Sequence, residues 1–216
     1  MRISRRRCGR LRPRWRRSRR GRRRHDRNGR PVRIVGGEFG GRRLLTPRTD
    51  AIRPSSDRLR QTLFDILAHG YDDAAREARV LDLFAGTGAL GLEALSRGAR
   101  HALFVEEDAA ARGLIRGNIE SLGLTGRTRI FRRDATRLGE AGTVPPFDVA
   151  FADPPYGQGL GEMALASALA GGWLRPGALA VLEEQGDVVV AEVEGFAVLE
   201  RRDVGDSQVV LLRVGT

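Results

Sequence analysis

The stretch Val80 to Glu93, Val-Leu-Asp-Leu-Phe-Ala-Gly-Thr-Gly-Ala-Leu-Gly-Leu-Glu, restricts what this chain can fold into more than any other. A strand-like run, Val80 to Phe84, enters Ala85-Gly86-Thr87-Gly88, and Leu90, Ala94 and Leu95 follow at helical spacing. The pattern is strand, tight glycine loop, helix. Glycine lacks the Cβ that would hold a ligand away from the backbone, and a helix start carries N–H groups without helical partners. A small, partly anionic ligand is therefore expected there.

The same alternation continues along the chain. His101 to Val105 is predicted as a strand ending in Glu106-Glu107-Asp108, Ala109 to Leu122 as a helix, and Thr128 to Arg132 as a strand leading to Asp134. Phe147 to Ala152 is a further strand, ending in Asp153-Pro154-Pro155-Tyr156; a helix from about Met163 to Ala170 follows, then a Pro176-Gly177 turn and a strand from Ala178 to Glu183. Regular alternation of this kind predicts a mostly parallel sheet with helices on both faces. The end departs from it, because Phe196 to Arg202 and Gln208 to Arg213 are separated by only five residues and form an antiparallel hairpin. The fold class is thus α/β, a seven-stranded Rossmann-like sheet closed by an antiparallel C-terminal hairpin. Before it, Val32 to Val35 and Arg42 to Leu45 flank four glycines and predict a small β-hairpin. A helix beyond Pro54 starts at Ser55 or Ser56 as N-cap and carries Leu59, Leu63, Phe64, Ile66 and Leu67.

Charge is unevenly placed. Residues 1–31 hold 16 arginines and one acid, a balance of +15 against +11 for the whole chain, so the rest carries −4. Within that remainder, residues 32–60 carry +4 and residues 61–216 carry −8. The tail has no apolar period and is expected to be disordered. Three readings of it compete: an RNA-binding arm, a targeting peptide, or an artefact of start-site choice. A valine codon can serve as a bacterial start, and Val32 opens the patterned sequence, so the native protein is expected to begin there. The expected units are the tail 1–31, the hairpin and helix 32–70, and a catalytic domain 71–216. Arg42, Arg43, Arg53, Arg58 and Arg60 are candidates for phosphate contact. Cys8 is the only cysteine and His25, His69 and His101 lie far apart, so no metal site is expected. No apolar run is long enough for a membrane helix, and a cytoplasmic protein is expected.

In open α/β sheets ligands sit beyond the carboxyl ends of the strands. Asp82, Glu106, Asp134 and Asp153 all fall at such ends, and acids gathered at one edge repel one another, which points to a ligand bearing hydroxyls, amines or positive charge. Gly86-Thr87-Gly88 with Glu106 about 20 residues on also matches a dinucleotide fingerprint. Against a nicotinamide cofactor stand Asp82 inside the strand, the antiparallel hairpin and Asp153-Pro154-Pro155-Tyr156. S-adenosylmethionine suits the set better: its carboxylate faces the helix start at Gly86, Thr87 and Gly88, its ribose hydroxyls Glu106, its adenine amine Asp134, and its sulfonium tolerates Asp82. Two prolines stiffen the turn at 153–156, so that the Asp153 carboxylate and the Pro154 carbonyl present acceptors to an exocyclic amine while Tyr156 offers a flat face for a base.

These segments resemble the bacterial 16S ribosomal RNA guanine-N2 methyltransferase family RsmD, within the class I S-adenosylmethionine-dependent methyltransferases. The likeness spans about Arg33 to Arg213. It rests on Arg33-Ile-Val-Gly-Gly, Arg53-Pro-Ser-Ser-Asp-Arg-Leu-Arg-Gln-Thr-Leu-Phe64, the run Leu81 to Arg97, and Asp153-Pro-Pro-Tyr156. The second segment discriminates, because adenine-N6 enzymes share the glycine loop and the tetrapeptide. The resemblance implies methylation of one guanine of 16S ribosomal RNA, in an assembled or partly assembled small subunit; a monomer without metal or membrane partner is expected. A DNA adenine-N6 methyltransferase and a non-catalytic RNA-binding assembly factor on the same fold are the alternatives.

Overall fold

The computed structural model describes residues 32–47 and 56–216. The expectations for residues 1–31, and for Arg53, Pro54 and Ser55, lie outside the described residues. The elements are α1 (Asp57–Gly70), β1 (Arg79–Leu83), α2 (Ala89–Ser96), β2 (His101–Val105), α3 (Ala109–Leu122), β3 (Thr128–Phe131), β4 (Phe147–Ala152), α4 (Leu160–Ala170), β5 (Leu174–Gln185), β6 (Phe196–Val204) and β7 (Ser207–Val214).

Local chemistry sets the helix ends. The Ser56 side chain accepts from Leu59 N–H and starts α1; Asp108 does the same for α3 through Ala111 N–H at 2.7 Å. Gly123, left-handed at φ 71°, ends α3. The strands form one seven-stranded sheet in the order β3-β2-β1-β4-β5-β7-β6, parallel from β3 to β5, with β7 antiparallel to both β5 and β6. Central strands β1, β2 and β4 are covered on both faces, which is why they read as near-continuous apolar runs. One face packs with Leu63, Phe64, Leu92, Phe104 and Ile115; the other packs with Leu83, Leu165, Trp173 and Leu182. Among the described residues no helix is long and apolar enough to cross a membrane.

Two expectations change in form. The strand after Pro176-Gly177 begins earlier, at Leu174, and the supposed turn is a bulge in the ladder, since β4 advances from Phe147 to Val149 while β5 advances from Leu174 to Leu179. The N-terminal hairpin pairs only at Arg33 opposite Arg43 and does not extend into two strands. Backbone bonds from Ile34 N–H to the Arg42 carbonyl, Gly41 N–H to the Ile34 carbonyl and Leu44 N–H to the Val32 carbonyl close it, and further bonds tie it to α2. Glu93, fully buried in α2, accepts from Val35 N–H at 2.7 Å, Gly36 N–H at 2.8 Å and Arg97 Nε at 2.9 Å. Ser96 accepts from Phe39 N–H through Oγ and from Glu38 N–H through its carbonyl. Gly37, at φ 73°, lies so close that a Cβ would stand 2.0 Å from the Ser96 carbonyl oxygen. Val32, Ile34 and Leu44 accordingly belong to the same core as Phe64 and Phe104.

Removing the Glu93 carboxylate leaves two N–H groups and a guanidinium in a buried junction. Glu93→Ala is expected to lower unfolding free energy by about 3 kcal/mol in urea titration; a loss below about 0.5 kcal/mol, the range of an ordinary surface change, would show that the junction does not depend on it.

Candidate active site

Strands β1 and β4 are direct neighbours, with Leu83 opposite Ala152. The chain therefore leaves both at one level of the sheet, Phe84 to Gly88 from one strand and Asp153 to Tyr156 from the other. Phe84 takes a left-handed backbone (φ 57°), an uncommon conformation for an aromatic residue, at the point where β1 becomes the loop. Strand β2, on the other side of β1, delivers Glu106 to the same edge.

Most of the acids singled out from sequence hold the loops in place. Glu106 accepts from Gly86 N–H at 2.8 Å and from Asp108 N–H at 2.7 Å, one bond on each carboxylate oxygen. Asp134 caps the turn at 135–137: its Oδ1 accepts from Thr136 N–H and Oγ1, and these bonds hold its carboxyl below the usual range. Asp82 is 1% exposed and accepts from Gly91 N–H at 2.9 Å. Burial pushes its pKa up to about 8, against the pull of the Gly91 bond and with a smaller push from Glu106. Gly91 is obligatory there, because a Cβ would stand 2.5 Å from the Phe104 ring and 3.0 Å from Asp82 Oδ2. Thr87 is 2% exposed and Gly88 is buried. The Asp82 and Thr87 side chains are thus turned inward at the root of the loop, and Phe84 and Gly86 are its half-exposed members.

In the turn after β4, Asp153 and Tyr156 are half-buried, Pro154 is buried and Pro155 is exposed. The Tyr156 hydroxyl donates to Glu183 Oε1 at 2.7 Å and lies 3.1 Å from Ser207 Oγ; burial, then the Glu183 charge, raises its pKa. Gly157 N–H donates to Glu184 Oε1 at 3.0 Å. Sequence reasoning passed over Glu183, Glu184 and Ser207. Glu183 and Glu184 were accessible to it, since two acids closing the apolar run of β5 follow the rule that located the other carboxylates. Asn118 was missed as well; fully buried, it binds the backbone of Leu45 and donates to the Thr87 carbonyl at 3.0 Å, tying the N-terminal segment to the glycine loop.

The arginines divide. Arg42, Arg43 and Arg58 are exposed, Arg42 donating to the Ser121 carbonyl at 2.8 Å. Arg60 is wholly buried, bonded to the Arg33 carbonyl at 2.7 Å and to Asp57 at 2.6 Å, so phosphate contact by Arg60 is ruled out by its position. It faces inward because it lies three and four residues before Leu63 and Phe64, on the apolar side of α1. A cleft of about 540 Å³ lined by Tyr71, Asp148, Arg175 and Arg213 lies at the opposite strand ends and includes none of the residues above.

Residues 32–213 match the family model described as Conserved hypothetical protein 95. Ribosomal RNA small subunit methyltransferase D of Escherichia coli K12 is 40% identical over 155 residues, 71% of this chain and 75% of the relative. The chain belongs to this family. The protein of the same name from Haemophilus influenzae is 32% identical over 176 residues, covering 81% and 89%. The solved structure of yhhF from Escherichia coli superposes with a TM-score of 0.72 at 33% identity, over 86% of this chain and 98% of that one. The fold is thus shared over most of both chains.

The buried carboxyl of Asp82 carries a pH signature. Its folded pKa of about 8 exceeds the ordinary 3.8, so the folded state binds the extra proton between them. The stabilisation is complete below about pH 4, is lost as pH rises toward 8, and levels off beyond it. Asp82→Asn keeps an acceptor for Gly91 without the charge. Between pH 5 and pH 8, urea unfolding is expected to move the stability difference in favour of the variant by more than about 1 kcal/mol; a difference that stays constant would contradict the assignment.

Proposed function

We propose that this protein transfers a methyl group from S-adenosylmethionine to the exocyclic N2 of a guanine in 16S ribosomal RNA, with the small subunit, assembled or partly assembled, as substrate. The observation that carries the reading is the pairing of Leu83 with Ala152, which sets a glycine loop suited to the cofactor beside a turn suited to an amine. Family membership supplies the substrate class, since the relatives named above are ribosomal RNA small subunit methyltransferases.

The residues present fit the cofactor. The loop at Gly86 and the start of α2 suit its carboxylate, Glu106 at the end of β2 suits a ribose diol, and Asp134 beyond β3 suits an amino group. Bound there, S-adenosylmethionine supplies a methyl group made electrophilic by the sulfonium. The protein's own task is to present the nucleophile. The amine lone pair of guanine is delocalised into the ring, so the nitrogen attacks poorly while it is planar. Two acceptors, the Asp153 carboxylate and the Pro154 carbonyl, hold its two hydrogens and favour a tetrahedral nitrogen with its lone pair directed across the gap to the glycine loop. Tyr156 stacks the extruded base, a contact worth roughly 1–3 kcal/mol in comparable sites. Holding the nitrogen in line for transfer would provide most of the acceleration, and the Asp153 carboxylate would take the proton that the nitrogen loses as it is methylated. Arg42, Arg43 and Arg58, exposed on the N-terminal segment and α1, contact RNA phosphates, with Arg53 between them in sequence.

Asp153→Ala is expected to reduce transfer of tritiated methyl to small subunits by about 100-fold or more, while the dissociation constant for S-adenosylmethionine, measured by calorimetry, changes less than about threefold. Retained turnover would remove Asp153 from the mechanism, and lost cofactor affinity would place it in the cofactor site.

A further inference from the structure

Neighbouring residues of a strand face opposite sides of a sheet, yet Glu183 and Glu184, at the end of β5, both bind the turn that leaves β4. Glu183 continues the side of Leu179 and Val181, which pack with α1 and α2; Glu184 continues that of Ala180 and Leu182, which pack with α4. Glu183 takes the Tyr156 hydroxyl at 2.7 Å and Glu184 takes Gly157 N–H at 3.0 Å, so the turn is gripped from both faces. The two side chains are 5% and 2% exposed. Burying two adjacent carboxylates is costly, and an apolar strand end would serve the core better.

Two further groups act on this pair. Ser207, at the start of β7 and opposite Gln185 in the ladder, places its Oγ 3.1 Å from the Tyr156 hydroxyl, so the phenol is fixed at one end by two groups on two strands. Arg60, buried in α1, lies near enough for its charge to be attracted to Glu183. The phenol is thereby pinned at its polar end.

We propose that Glu183 is a positioning residue: through the Tyr156 hydroxyl it sets the plane on which the target base stacks, with Ser207 as a second, weaker anchor. This deepens the methyltransferase reading and rests on it. A ring freed from this anchor still offers stacking area, but it no longer holds the amine in line with the methyl group. The cost is therefore expected in turnover more than in binding.

A double-mutant cycle tests this with small subunits and S-adenosylmethionine at saturating concentrations. Glu183→Gln and Tyr156→Phe are each expected to lower kcat about tenfold, with the cofactor dissociation constant unchanged within about threefold, and the double variant to be no slower than the slower single variant. Costs that multiply would overturn the proposal, because Glu183 would then act independently of the hydroxyl. Ser207→Ala, expected to cost about threefold and nothing further beside Tyr156→Phe, provides the same cycle should Glu183→Gln not fold. A second readout is independent of turnover. The chain has two tyrosines, Tyr71 and Tyr156, so ¹³Cζ-tyrosine labelling gives two resonances that Tyr71→Phe assigns. Glu183→Met, which removes the acceptor, is expected to shift that of Tyr156 alone, and an unmoved resonance would show that the contact is absent. If the wild-type protein transfers no methyl while the resonance shifts, the anchor stands and the methyltransferase reading fails.

Discussion

Parallel pairing between β1 and β4 is the constraint from which the site follows. Because Leu83 lies opposite Ala152, the two loops that leave these strands are separated by one strand spacing, about 4.8 Å at their roots. A one-residue slip would turn every side chain of a strand to the other face, placing Asp82 away from Gly91 and breaking both cores. Burial on both faces forbids such a slip, so the packing that stabilises the sheet also fixes the distance over which the reaction is proposed to occur.

Rigidity at this edge comes from polar groups facing inward. Asp82 holds the first turn of α2, Glu106 holds Gly86, Asn118 holds Thr87, and Glu183 with Glu184 holds the turn at 153–157. Each bond satisfies a group that would be expensive to bury alone, and together they leave few side chains at the rim free to rearrange. The N-terminal segment enters the same network through Glu93 and Asn118, so the part of the chain assigned to RNA contact and the part assigned to cofactor binding share buried hydrogen bonds.

Much of this was readable from sequence where the signal is local. Helix α3 begins and ends as expected because Asp108 caps one end and Gly123 the other, and the strands β2 and β4 were bounded by the acids and prolines that end them. The extent of β5 was not, because Pro176-Gly177 carries the composition of a turn and only pairing with β4 turns it into a bulge. Asp82 and Asp153 look alike in a sequence, each an acid at a strand end. Their difference is depth: Asp82 points under the loop, whereas Asp153 follows the last residue of its strand and is half-buried. At Arg60 chemistry and periodicity conflict: the guanidinium suggests phosphate contact, yet its spacing from Leu63 and Phe64 places it on the apolar face of α1, where it is buried. The bond between Tyr156 and Glu183 spans 27 residues and has no local signature.

Methyl transfer requires the two loops to share one reaction space. A crystal structure with S-adenosylhomocysteine tests that directly. The thioether sulfur is expected within about 8 Å of the Asp153 carboxylate, the reach of one hydrogen bond of about 3 Å, an attack distance of about 3–3.5 Å and one carbon–sulfur bond, with open space between them. A nucleoside bound away from Gly86 and Glu106, or a sulfur walled off from Asp153 by packed side chains, would contradict it.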